Sequence, residues 1–161
     1  MAELQDVISY ACAKYPYASS VPLSTLTKIL YLAEWRSAIT RKRQLTQARW
    51  LLNQSGPFSP DIATALAATP TFAVGRSQSI FKPSPLRVSL RQVDAGWKGL
   101  TVEDKEVLDF VLRVISTKSY GEFIRLVEST YPVYKNPENT AALDLVGLAE
   151  RYLSERSLVP V

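Results

Sequence analysis

From Ser24 to Ile39 the chain offers water almost no face. Leu23, Leu26, Ile29, Leu30, Ala33 and Ser37 recur at the steps of 3, 3, 1, 3 and 4 that an amphipathic helix shows. Tyr31, Leu32, Trp35, Ala38 and Ile39 then fill most of the opposite side. A helix that is apolar nearly all round belongs inside a domain, so the rest of the chain must wrap this one. Only Lys28, Glu34 and Arg36 interrupt it. Each of these charges needs either an exit to water or a partner.

Around that helix the remaining elements read in order. Leu4, Val7, Ile8 and Ala11 predict a first amphipathic helix over 2–14, broken by Tyr15-Pro16-Tyr17. Cys12 lies in it as a small buried hydrophobe. Arg41-Lys42-Arg43 closes the central helix, where cations suit the helix dipole. Between Leu45 and Gln54 the residues Thr46, Ala48, Trp50 and Leu52 alternate with Gln47, Arg49, Leu51 and Asn53, a strand pattern with Trp50 inward. Gly56-Pro57 reads as a turn; Ser59 caps the next helix, with Pro60 at its first position and Asp61 in its first turn. That helix is expected to end at Thr69-Pro70.

The character changes over 71–93. Phe72-Ala73-Val74 and Ser79-Ile80-Phe81-Lys82 flank Gly75-Arg76-Ser77-Gln78 in a hairpin-like arrangement. Leu86, Val88 and Leu90 alternate with Arg87, Ser89 and Arg91, a half-buried strand with its arginines outward. Thr101 with Asp104, and Ser119 with Glu122, make capping boxes for two further helices. Tyr131 to Pro137 reads as an aromatic loop. Asn139 or Thr140 then caps a last helix over 141–153, with Leu145, Leu148, Ala149 and Tyr152 on one stripe. The fold class expected is mainly α (α+β): a compact single domain over 1–161, of five or six helices with a small antiparallel β-inset at about 71–93.

Composition narrows function chiefly by what it lacks. The 161 residues contain one cysteine and no histidine. That removes Ser-His and Cys-His nucleophile pairs and the usual zinc ligand sets. No glycine-rich phosphate loop, spaced carboxylate cluster, metal site or cofactor motif is legible, so no catalytic residue is assigned and no cofactor is expected. No apolar run approaches the roughly 20 residues of a membrane helix. The acidic N-terminus lacks a signal-peptide pattern, and a lone cysteine suits a reducing compartment, so the cytoplasm is the expected location. Charge is uneven: residues 1–98 hold 12 basic and 5 acidic groups, and residues 99–161 hold 7 basic and 10 acidic. A basic half of this kind suits an acidic protein partner or nucleic acid.

Lys28-Ile29-Leu30-Tyr31-Leu32-Ala33-Glu34 resembles the "K-L-L-Y-x-A-[DE]" helix of the Panacea domain, the SocA-like antitoxin family of bacteria and their phages. Leu45-Thr46, Arg49-Trp50 and Gly56-Pro57-Phe58-Ser59 follow in the family's order and at similar spacing. Glu106-Val107-Leu108, Leu126-Val127 and Tyr131-Pro132-Val133-Tyr134-Lys135 resemble its C-terminal part, so the likeness spans about residues 4–152. There are departures. Thr40 to Gln44 stands where the family has a glycine turn, Ser129 or Thr130 where a histidine is frequent, and Tyr134 where a tryptophan is usual.

The resemblance implies a non-enzymatic protein that neutralises a toxin by direct contact or delivers it to a protease as an adaptor. Its partners would then be proteins, a cognate toxin or a protease. A small basic nucleic-acid-binding regulator is the alternative. Lys28, Tyr31, Glu34, Trp50, Gly56, Pro57, Phe58 and Ser59 are the motif positions, structural or partner-facing. Arg36, Arg41, Lys42, Arg43, Arg49, Arg87 and Arg91 are the candidate partner surface, because charges steer association and set specificity.

Overall fold

A computed structural model of the chain describes residues 1–76, 85–93, 96–135 and 142–158. The central helix α2 runs from Leu23 to Arg41 and is buried on nearly every side, from Thr25 and Leu26 through Ala38. Helices α1 (Leu4–Lys14), α4 (Val102–Ser116) and α7 (Leu145–Leu158) pack around it. α3 (Pro60–Ala68), α5 (Tyr120–Glu128) and a single turn, α6 (Tyr131–Tyr134), complete the helices among the described residues. The fold is mainly α with small antiparallel sheets, as the sequence pattern implies. Its buried apolar residues join into one cluster, and Tyr31, Trp50, Leu30 and Leu108 are sealed from solvent within it.

Local signals place the helix starts. Thr101 accepts from the Asp104 backbone N–H while Asp104 accepts from that of Thr101, and Ser119 and Glu122 repeat the arrangement. Ser59 accepts from the backbone N–H of Asp61 and so opens α3 at Pro60. α2 has no side-chain cap; its first N–H, that of Leu23, donates to the Leu86 carbonyl at 2.8 Å. The neighbouring sheet thus satisfies a donor that capping leaves open.

Among the described residues, six short strands form two antiparallel sheets. One has the order β1 (Ser20–Pro22), β5 (Arg87–Leu90), β4 (Phe72–Gly75), with Val21 opposite Val88 and Ala73 opposite Ser89. The other has the order β3 (Gly56–Phe58), β2 (Trp50–Asn53), β6 (Ala142–Leu143), with Leu52 opposite Pro57 and Trp50 opposite Leu143. The expected inset is therefore the β4–β5 part of one sheet, completed by a strand from the approach to α2. Its Ser79-Ile80-Phe81-Lys82 arm lies outside the described residues.

Three expectations need correction. Gly56-Pro57 is not the turn: the chain reverses at Gln54-Ser55, where the Asn53 carboxamide accepts from the Ser55 N–H, and Gly56-Pro57 is already strand. Gly56 has φ +106°, a conformation open to glycine and costly for other residues, which lets β3 return beside β2. The last helix starts at Leu145, not near 141, because Ala142 and Leu143 are drawn into pairing with β2. Asp144 accepts from the Gly147 N–H at its start; Asn139 and Thr140 lie outside the described residues. Finally, Tyr131–Tyr134 is a helical turn rather than a loop, held by the Thr130 carbonyl.

Candidate functional site

Glu34 sits in the middle of α2, 2% exposed, with no ion-pair partner among the described residues. Its carboxylate instead accepts four hydrogen bonds. They come from the Gln44 amide at 2.6 Å, the Thr46 backbone N–H at 3.0 Å, the Thr46 hydroxyl at 3.3 Å and the Trp50 indole N–H at 3.2 Å. The same Gln44 amide reaches the carbonyls of Thr46 and Ala48. One side chain thus fastens the whole 44–50 segment to the helix. Burial pushes the Glu34 carboxyl up to about 7, against the pull of the donors, Trp50 and Gln44 foremost. The alternation read for Leu45–Gln54 survives in burial: Thr46, Ala48, Trp50 and Leu52 are inside, although only 50–53 is regular strand.

Tyr31, one turn earlier, packs its ring edge-on to Trp50 with centroids 5.8 Å apart. Its hydroxyl lies 2.7 Å from Thr130 Oγ1, whose own proton goes to the Val127 carbonyl at 2.6 Å, so Tyr31 is the donor. Thr130, which with Ser129 is one of two positions where the resemblance leads one to expect histidine, therefore takes up a core hydroxyl. Tyr31, Glu34 and Trp50 form a buried polar node that holds α2, the 44–50 segment and the end of α5 together.

Lys28 does not join this node. It is half-buried at the mouth of a cleft of about 500 Å³ between α2, the β2–β3 hairpin and α5–α6, and burial pushes its ammonium down from the ordinary lysine range. Gly56 and Pro57 line the same cleft, and a Cβ on Gly56 would stand 3.9 Å from Lys28 Cε. The helix motif and the Gly-Pro motif thus meet across one opening. Phe58 and Ser59 continue the hairpin into the cap of α3.

The basic residues separate by what holds them. Arg41 turns inward and pairs with Asp104 at 2.8 Å, with side chains 15% and 5% exposed. Arg36 lies over the ring of Phe110, its guanidinium carbon 3.9 Å from the centroid. Arg49 grips Asp61 with Nε and a terminal nitrogen, and its own backbone N–H bonds the same carboxylate; that grip holds the Asp61 carboxyl below its usual range. Arg87 donates to the hydroxyl and carbonyl of Ser20, tying β5 to β1, and Arg91 donates to the Pro70 carbonyl. Lys42 and Arg43 are exposed. Lys42 holds φ +59° at the end of α2, the left-handed conformation that glycine usually supplies at a helix C-terminus. Asp104 is legible in the sequence only as the cap of α4; its pairing with Arg41, and the contacts made by Phe110, Gln44 and Thr130, are revealed only by their placement.

The order of these segments is that of a known family: the family model described as "Antitoxin SocA-like, Panacea domain" matches residues 26–131. The chain belongs to the Panacea family. The match opens in α2 before Lys28 and closes at Tyr131, so it holds the buried node, the Lys28 cleft but for Val133, and the Arg41–Asp104 pair. It leaves out α1 and α7, which the likeness read from the sequence included. No curated protein and no solved structure matches the chain. None of the described helices is long and apolar enough to cross a membrane.

Proposed function

We propose that this Panacea-family protein is a non-enzymatic interaction module that neutralises a cognate toxin, by direct contact or as an adaptor delivering it to a protease. The observation that carries this reading is the family match over 26–131, which includes the matched motifs around α2. Lys42 and Arg43 are the favoured partner contacts among the basic residues. They are exposed and drawn into no ion pair among the described residues, whereas Arg41 is spent inside the fold. Exposed charges of one sign speed association with an acidic partner and lose that effect in salt. Arg36, Arg49 and Arg91 are each already partly engaged. Arg87 serves the sheet.

Co-expression with each flanking reading frame, followed by pull-down at moderate salt, tests the proposal. The expected result is a stoichiometric partner that stops growth when expressed alone, and whose capture falls in Lys42→Glu/Arg43→Glu. Recovery of nucleic acid alone, released by salt, would instead support the regulator reading.

A further inference from the structure

Lys28 makes no ion pair or hydrogen bond in the described structure, and burial alone accounts for the depression of its ammonium. The ammonium keeps an outlet to water but is only partly solvated, so the cleft favours an incoming negative charge. Its walls are mixed: Leu52, Pro57, Ile124, Val127 and Val133 are apolar, while the hairpin tip adds Asn53, Gln54 and Ser55. At about 500 Å³ it falls within the roughly 300–1,000 Å³ typical of ligand pockets. Gly56 lines the approach to Lys28, where an added Cβ would meet the lysine stem at 3.9 Å, an ordinary contact. Glu128, exposed at the rim, adds the one opposing charge on the α5 side.

We propose that this cleft docks an acidic side chain presented between apolar residues by a protein partner, with the Lys28 ammonium receiving the carboxylate. Charge complementarity selects this occupant. A purely apolar segment would bury the ammonium further with nothing to pair it, and a basic one would repel it. A nucleic-acid strand needs a track of cations, whereas this cleft is lined by one cation, with a carboxylate at its rim. An entering carboxylate pairs with Lys28 where water is partly excluded and the attraction exceeds that of a surface pair. The inference rests on the interaction reading above in requiring a protein partner, but it can be tested without the toxin.

The test is an NMR titration of the full-length protein with N-acetyl-Leu-Glu-Leu-amide, its Gln counterpart, and the Gln peptide with a free C-terminal acid. The expected result is saturable movement of the Ser55, Gly56 and Val127 amides with the Glu peptide. The Gln amide should bind about tenfold more weakly or worse, the difference made by a charge-assisted hydrogen bond. Lys28→Met should abolish the preference while the spectrum stays dispersed. Glu128→Gln, which leaves Lys28 in place, should tighten the Glu peptide by about two- to threefold, as removal of a partly screened like charge does. Equal binding of Glu and Gln peptides, or no movement at the cleft, would overturn the proposal. So would equal binding by the free-acid Gln peptide, which would make a chain terminus the ligand.

Discussion

Glu34 shows at residue scale how a helix without an outer face keeps a charge. Burial raises its carboxyl to about 7 from the ordinary 4.5, so the folded chain prefers the neutral acid over a range in which the unfolded chain has released its proton. The contribution of this group is then fully present below about pH 4.5, falls as pH rises, and is lost above about 7. The loss is roughly 3 kcal/mol. Glu34→Gln should remove that slope, so that the difference in denaturant midpoint between variant and wild type changes from pH 5 to pH 8. Parallel curves would contradict it. The variant also costs about 1 kcal/mol at low pH, because one amide N–H must face the Thr46 N–H. Lys42 makes a second residue-scale case. Its left-handed backbone is costly for any residue with a Cβ, so Lys42→Gly should stabilise the fold by about 1 kcal/mol in urea melts. If Lys42 touches the partner, the same change weakens capture while strengthening the fold.

Between elements the decisive link is Asp104. Burial pushes its carboxyl up, but the bonds from Arg41 and Thr101 outweigh that and hold it below the ordinary range. It therefore stabilises above the usual Asp range, and that contribution is lost as pH falls through the lowered value. Asp104 caps α4 and anchors the end of α2 at once. Asp104→Ala should cost about 3 kcal/mol, since it strands a mostly buried guanidinium, whereas Thr101→Ala should cost about 1 kcal/mol for the cap alone. Equal losses in thermal or denaturant melts would mean that Arg41 finds water instead. The two capping boxes were readable because a cap is written within four residues. Asp104's second role was not, because its partner lies in another helix.

Across the whole molecule the same division holds. The all-round apolar pattern of Ser24–Ile39 was enough to predict a helix with the rest of the chain wrapped round it, and α2 is wrapped by α1, α4 and α7. The demand that Lys28 and Glu34 find an exit or a partner was also legible, and each met a different one of these ends. Strands of two or three residues were not. Ser20–Pro22 read as the approach to a helix and Ala142–Leu143 as its first turn, because each is strand only through a partner dozens of residues away. The basic residues looked equivalent in sequence, yet Asp104, Phe110, Asp61, Ser20 and Pro70 hold Arg41, Arg36, Arg49, Arg87 and Arg91, leaving Lys42 and Arg43. The most direct functional test is a growth assay in which each flanking reading frame is induced with or without this protein. One frame should arrest growth alone and be rescued by the wild type, with rescue reduced in Lys42→Glu/Arg43→Glu at unchanged stability. If no flanking frame is toxic, or rescue is indifferent to the presence of this chain, the toxin-neutralising function is contradicted.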